Sequence, residues 1–189
     1  MKMSFLIMIL SLATACGNTN ETTKPQNDQT EVTADASNTA VVQQGMLLGE
    51  FTKEDLQKEP FATWFNNGYN NYSPNAEALK TIKENISDYE IVAYMGTWCP
   101  DSKRETPKLF KILDESGYDL SKLTIYGVDR SKTTEGKTEE KWNVKRVPTF
   151  IFIKDGKEVN RFVEYPKESI EADIAKIVSG KEYNDSYAQ

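Results

Sequence analysis

An α/β fold, a central mixed sheet flanked by helices, is predicted for this chain from three observations. Two short β-rich apolar runs, EIVAYM (Glu90 to Met95) and LTIYGVD (Leu123 to Asp129), have the continuous hydrophobicity of buried central strands. The stretch between them places Leu109, Phe110, Ile112 and Leu113 on one side and stops at Gly117, the pattern of a helix that packs on a sheet. Further on, VPTFIFI and KEVNRFV are joined by Lys154-Asp155-Gly156, and Asp-Gly favours the tight turn of a hairpin. Strand, helix, strand makes a parallel crossover unit, and the hairpin adds antiparallel strands to it.

The other segments follow in chain order. Residues 1–15 carry one charge at Lys2 and an apolar run from Met3 to Leu12. That run is shorter than the roughly 20 residues needed to cross a bilayer and suits the core of an export signal. The LATAC that follows resembles a bacterial lipobox, which implies cleavage before Cys16 and a lipid on Cys16, although Ala13 stands where Leu or Val is more usual. An ordinary signal peptide with an incidental cysteine is the alternative. Residues 16–45 contain no aromatic residue and are rich in Asn, Thr, Gln and acids. Such a stretch cannot bury enough apolar surface to offset its ordering entropy, so the lipidated cysteine is expected to be followed by a disordered tether.

Residues 46–87 read as an N-terminal helical addition. Phe61, Trp64 and Phe65 lie at helical spacing, and Ala78, Ile82 and Ile86 continue a stripe in the next piece. These stripes are expected to be core, with ligand binding by Trp64, Tyr69 or Tyr72 as the alternative. Residues 88–180 form the α/β domain. Its last helix, from Pro166 to Ser179, has Ile170, Ile174, Ile177 and Val178 on one face and stops at Gly180. The polar tail, residues 181–189, is expected to fray.

Composition excludes several function classes. The chain has 189 residues, enough for one domain with accessory segments, and 38% of them are hydrophobic. Its formal charge of −6 and its lack of a Lys/Arg cluster argue against a nucleic-acid partner. The absence of histidine removes imidazole bases, Cys-His dyads and His-ligated metals. No metal cluster or Gly-rich phosphate loop stands out either, so no cofactor is expected.

The chemistry concentrates in YMGTWCPDSKRETP, residues 94–107. TWCPDS at the end of the first β-rich run, Pro107 eight residues after Cys99, and RVPTFIFIKDGKEV about fifty residues later together resemble the thioredoxin superfamily. The resemblance covers about residues 88–180. It implies that Trp98, Cys99 and Pro100 lie in the active-site loop, that Pro107 kinks the next helix, and that Pro148, after Val147, is a cis proline facing the cysteine. Residue patterning agrees in part, because Val147-Pro148 opens a strand, where proline is tolerated. A plain strand-edge proline is the alternative.

This chain departs from the family pattern in three ways. Ser102 stands where a resolving cysteine is expected, Ala93 where many thioredoxins bury an acid, and a mature chain would keep no second free thiol. A dithiol cycle is thus closed to this chain alone. Cys99 nevertheless sits at a helix start, where unpaired N–H groups and the macrodipole favour a thiolate. Ser102 could donate a hydrogen bond to it, or serve only as a first-turn helix residue. Lys103 and Arg104 add positive potential there, and Asp101 opposes it.

The expected function is thiol-disulfide exchange through Cys99, with Ser102 assisting and with Trp98, Pro100, Val147 and Pro148 meeting the substrate. The protein would be lipid-anchored in a bacterial cell envelope, facing the periplasm or exterior. Its partners would be exported proteins or low-molecular-weight thiols and disulfides. A non-catalytic peptide or protein binding module is the alternative, with a Cys99-linked homodimer as a third reading and a buried inert thiol as the bland one.

Overall fold

The computed structural model describes residues 39–188, so Cys16, the signal-like residues 1–15 and most of the expected tether lie outside it. Six strands form one sheet in the order β1-β2-β4-β3-β5-β6. They are β1 (Val41–Gln43), β2 (Met46–Phe51), β3 (Glu90–Met95), β4 (Leu123–Gly127), β5 (Thr149–Lys154) and β6 (Lys157–Val163). Only β3 and β4 run parallel; every other pairing is antiparallel. The sheet is therefore the mixed one that the sequence predicts.

Alternation along β3 divides the interior. Ile91, Ala93 and Met95 join one hydrophobic cluster, and Tyr94, supported by Val92, joins the other. The first cluster is larger and is covered by four helices: α2 (Ala62–Asn70), α3 (Ala76–Asn85), α4 (Pro100–Ser116) and α6 (Ile170–Val178). In it the Phe65 ring meets the Phe110 ring edge to face, with centroids 5.8 Å apart. The second cluster holds Cys99, Val128, Val144 and Val147, with Trp98 and Trp142 packed against it. Its cover is slighter: the connection 128–148, with the four-residue helix α5 (Thr138–Lys141).

Helix α4 positions the site. Pro100 occupies its first turn, where a missing N–H costs nothing, and Gly117 ends it with φ 73°, a left-handed conformation that favours glycine. Pro107 lies inside this helix and is buried. Its ring faces Gly68 of α2 so closely that a Cβ there would lie 3.0 Å from it. Across the same layer, α3 docks on α6: the Tyr72 hydroxyl donates to Glu171 at 2.5 Å, and the Asn75 N–H donates to the same carboxylate at 3.3 Å. Burial pushes the Glu171 carboxyl up, but these bonds together outweigh it and hold the group below the ordinary carboxylate range.

Three segments differ from the sequence expectation. Residues 46–51, expected to open a helical addition, form strand β2, and helix begins only with the short α1 (Lys53–Leu56) after Thr52. Residues 41–43, expected in the tether, form β1 of the same hairpin. The cause is non-local, because β2 pairs with β4 at Gly49, Glu50 and Phe51, more than seventy residues away in the chain. Finally, the tail is not frayed at its start: Tyr183 is 8% exposed, and its carbonyl accepts from the Asn160 amide at 2.9 Å.

Where β2 and β4 meet, a Cβ on Gly127 would lie 2.1 Å from the Leu47 carbonyl oxygen. Gly127→Ala should therefore part the strands and cost about 1–3 kcal/mol, the usual range for overpacking. Urea unfolding measures this, and a loss under about 0.5 kcal/mol would show that the hairpin is not held so tightly. Glu171 gives a pH signature: with its pKa lowered from 4.5, its stabilising share is full above that value and lost as pH falls below it. Glu171→Gln should narrow the gap between urea midpoints at pH 6 and pH 3.5, and an unchanged gap would discount the clasp.

Candidate functional site at the β3–α4 turn

The turn from Gly96 to Pro100 links the end of β3 to α4, and four different parts of the chain hold it. The Gly96 N–H donates to Ser102 Oγ at 3.1 Å, within the first turn of α4. The Leu47 N–H of β2 donates to Thr97 Oγ1 at 3.1 Å. The Trp98 indole N–H donates to the Val128 carbonyl at 3.0 Å, just beyond β4. The Cys99 thiol donates to the Val147 carbonyl at 3.3 Å, and the Val147–Pro148 bond is cis. Cys99 and Val147, distant in sequence, thus face each other.

The backbone of the turn is shaped for this. Cys99 is the N-cap of α4, with φ −87° and ψ 126°, and its N–H returns to the Gly96 carbonyl at 2.9 Å. Gly96 must be small, since a Cβ there would lie 2.6 Å from the Trp98 ring. Trp98 is half-buried, Pro100 exposed, and Val147 and Pro148 buried. Cys99 itself is 7% exposed.

Of the two roles expected for Ser102, the geometry shows the one within the first turn of the helix. Ser102 is fully buried and its hydroxyl accepts from Gly96; it makes no hydrogen bond to Cys99. Its place in the first turn aims it back at the end of β3, and the Cys99 sulfur has turned to Val147 instead. Nearby charges are also partly spent: Arg104 pairs with Asp101 at 2.8 Å and with the buried Glu105 at 2.5 Å. Lys103 lies over the Trp64 ring, 5.9 Å from its centroid. The expected cations therefore lean on α2 and on their own helix.

Sequence reasoning missed Gly96 and Thr97, although both sit inside the quoted motif. It also missed Val128 and Arg130, which follow β4. Arg130 places its guanidinium carbon 5.7 Å from the Trp98 ring centroid. The one available signal was the end of LTIYGVD, since a parallel strand next to β3 must end beside the same turn.

Below the turn, on the face that carries Cys99, Tyr94 is fully buried and stacks on Tyr126 with centroids 5.4 Å apart. Burial pushes its hydroxyl up to about 12. That hydroxyl lies near Thr138 but makes no hydrogen bond of normal geometry. Beside it the buried Glu139 accepts from the Thr134 N–H at 3.0 Å and the Thr134 hydroxyl at 2.7 Å. Burial raises the Glu139 pKa, and these bonds overcome that and lower it.

The family pattern described as Thioredoxin matches residues 75–176, more than half of the chain. Thioredoxin Asp f 29 of Aspergillus fumigatus is 32% identical over 98 residues, covering 50% of this chain and 86% of that protein. Thioredoxin H-type 1 of Nicotiana tabacum is 34% identical over 86 residues, covering 46% of this chain and 64% of the relative. The TPR repeat-containing thioredoxin TDX of Arabidopsis thaliana is 31% identical over 105 residues, covering 56% of this chain but 26% of that longer protein. The chain therefore spans about a quarter of one of these relatives and just under two thirds of another. It belongs to the thioredoxin family.

The orphaned tyrosine hydroxyl yields a test. Tyr94→Phe removes a buried polar group without a partner, so stability should be unchanged or rise by up to about 1 kcal/mol in urea unfolding. A loss above 1 kcal/mol would mean that the hydroxyl is satisfied within the fold.

Proposed function

We propose that this protein exchanges disulfides through a single nucleophilic cysteine, Cys99, and depends on an outside thiol to finish the cycle. The observation that carries the reading is the placement of the Cys99 sulfur, at the N-terminus of α4 and 3.3 Å from the Val147 carbonyl beside cis Pro148. Pro100 offers no N–H, so the groups at the helix start able to receive a thiolate are those of Asp101 and Ser102. A thiolate has no hydrogen to give Val147. Ionisation therefore releases that carbonyl and favours rotation of the sulfur toward the helix.

The thiolate attacks one sulfur of a partner disulfide. A bond from Cys99 to that sulfur forms as the partner bond breaks, and the leaving thiolate takes the electron pair. Ser102 cannot displace the product, so the mixed disulfide persists until a second thiol attacks it. Ser102 instead supports the turn through Gly96, and Trp98, Pro100, Val147 and Pro148 border the opening that the substrate meets. The signal-like start and Cys16 support a lipid-anchored protein in a bacterial envelope, facing the periplasm or exterior, with exported proteins or small thiols and disulfides as partners. The low exposure of Cys99, 7%, favours one second reading, a peptide or protein binding module without thiol chemistry.

The test uses the full chain with Cys16→Ser, so that Cys99 is the one thiol present. Incubated with a disulfide-bonded peptide, it should form a one-to-one mixed disulfide visible by intact mass, stable until dithiothreitol is added. Cys99→Ser in the same chain should form none. A chain that forms no adduct, yet binds the peptide equally with and without Cys99, would establish the second reading.

A further inference from the structure

We infer that Arg130, held over Trp98, makes the site selective for disulfides that carry carboxylate groups beside the reacting sulfur. The inference rests on Cys99 being a nucleophile and names the substrate class of that site. An acidic chain, formally −6, repels an acidic partner overall, so attraction at the site has to be local. Two loops supply it. The loop after β4 brings Arg130 to the face of Trp98, the neighbour of Cys99. The loop before β5 brings Lys145 and Arg146, next to Val147, whose carbonyl meets the sulfur.

The nearby acids are otherwise engaged. Asp101 pairs with Arg104 at 2.8 Å. Asp129 uses one oxygen to accept from Ser131 N–H, Thr133 N–H and Thr133 Oγ1, at 2.8, 3.0 and 3.1 Å, which fixes the turn that carries Arg130. Glu164 meets Arg146 at 3.5 Å and accepts from the Tyr187 hydroxyl. Arg130 differs. Among the described residues no carboxylate lies within ion-pair distance of it, and it is exposed. Trp98 cannot swing away, because its indole N–H is bonded to the Val128 carbonyl.

A guanidinium over an indole face is attracted by the ring quadrupole, which takes up none of its hydrogen-bond donors. Those donors form a fork that fits a carboxylate in two parallel hydrogen bonds. A disulfide partner with a carboxylate near its sulfur would place that group at Arg130 while the sulfur meets Cys99. The positive charge also stabilises the anionic thiolate that departs when the Cys99–sulfur bond forms and the partner bond breaks. The proton that Cys99 gives up goes to solvent.

The experiment follows the reaction of the full chain, carrying Cys16→Ser, with three probes: the dianionic 5,5′-dithiobis(2-nitrobenzoate), the neutral 4,4′-dithiodipyridine and the dicationic cystamine. Arg130→Ala should slow the dianion roughly 3- to 10-fold, leave the neutral probe within about 2-fold, and leave the dication equal or faster. Arg130→Lys should recover part of the dianion rate, and 0.5 M salt should shrink the difference. Equal slowing of all three probes would reduce Arg130 to a packing role for Trp98 and overturn the inference, as would an unchanged dianion rate. Failure of every probe to react would overturn the thiol-exchange reading beneath it.

Discussion

The fold and the site both depend on one short turn, residues 96–100, being pinned from four directions. Its hydrogen-bond partners lie in β2, just beyond β4, before β5 and in α4, so the turn takes its shape only when those elements are assembled. That arrangement explains an otherwise odd distribution of side chains. Gly96 is small because an indole lies on it, Thr97 is buried with its hydroxyl accepting a strand N–H, and Ser102 faces a backbone amide rather than a sulfur. The two hydroxyls each satisfy a backbone N–H that would otherwise be buried at a cost of about 1–3 kcal/mol. The cysteine thiol is the exception, since its one bond is to a carbonyl it can release.

The helices on the opposite face are the platform for this turn. Helix α4 is wedged between the sheet and the aromatic helix α2, where Pro107 meets Gly68 and the Lys103, Lys108 and Lys111 ammonium groups lie over Trp64, Tyr72 and Tyr69. The N-terminal addition thereby orients the helix that Cys99 caps. Strand β2 adds a second hold through Thr97, so the segment that leads in from the expected tether is also the one that fixes the loop before Cys99.

Much of the α/β domain was legible because its signals are local. The continuous apolar run of β3, the apolar side of α4, the Asp155-Gly156 turn and the Ile stripe of α6 each identify an element from a few neighbouring residues. Strand β2 was not legible, because MLLGEF has no turn signal of its own and becomes a strand through pairing with β4. Tyr183 was missed in the same way: a polar tail hides one aromatic residue whose burial depends on β6 and α6. At the site, residue types revealed the cysteine, the tryptophan and the proline. They did not reveal the direction of a side chain, which is why two roles stayed open for Ser102 and Arg130 was overlooked.

The central claim is that the fold makes a solitary cysteine more reactive than the same cysteine in an unfolded chain, despite its low exposure. The most direct measurement is the second-order rate of Cys99 with iodoacetamide at pH 7, in the Cys16→Ser chain, folded and in strong denaturant. The rate in denaturant needs correction by a free-cysteine peptide in each solvent. A folded rate above the unfolded one is predicted, because only the helix start in the folded chain can receive the thiolate. A folded rate well below it would contradict the account and make Cys99 a packed side chain.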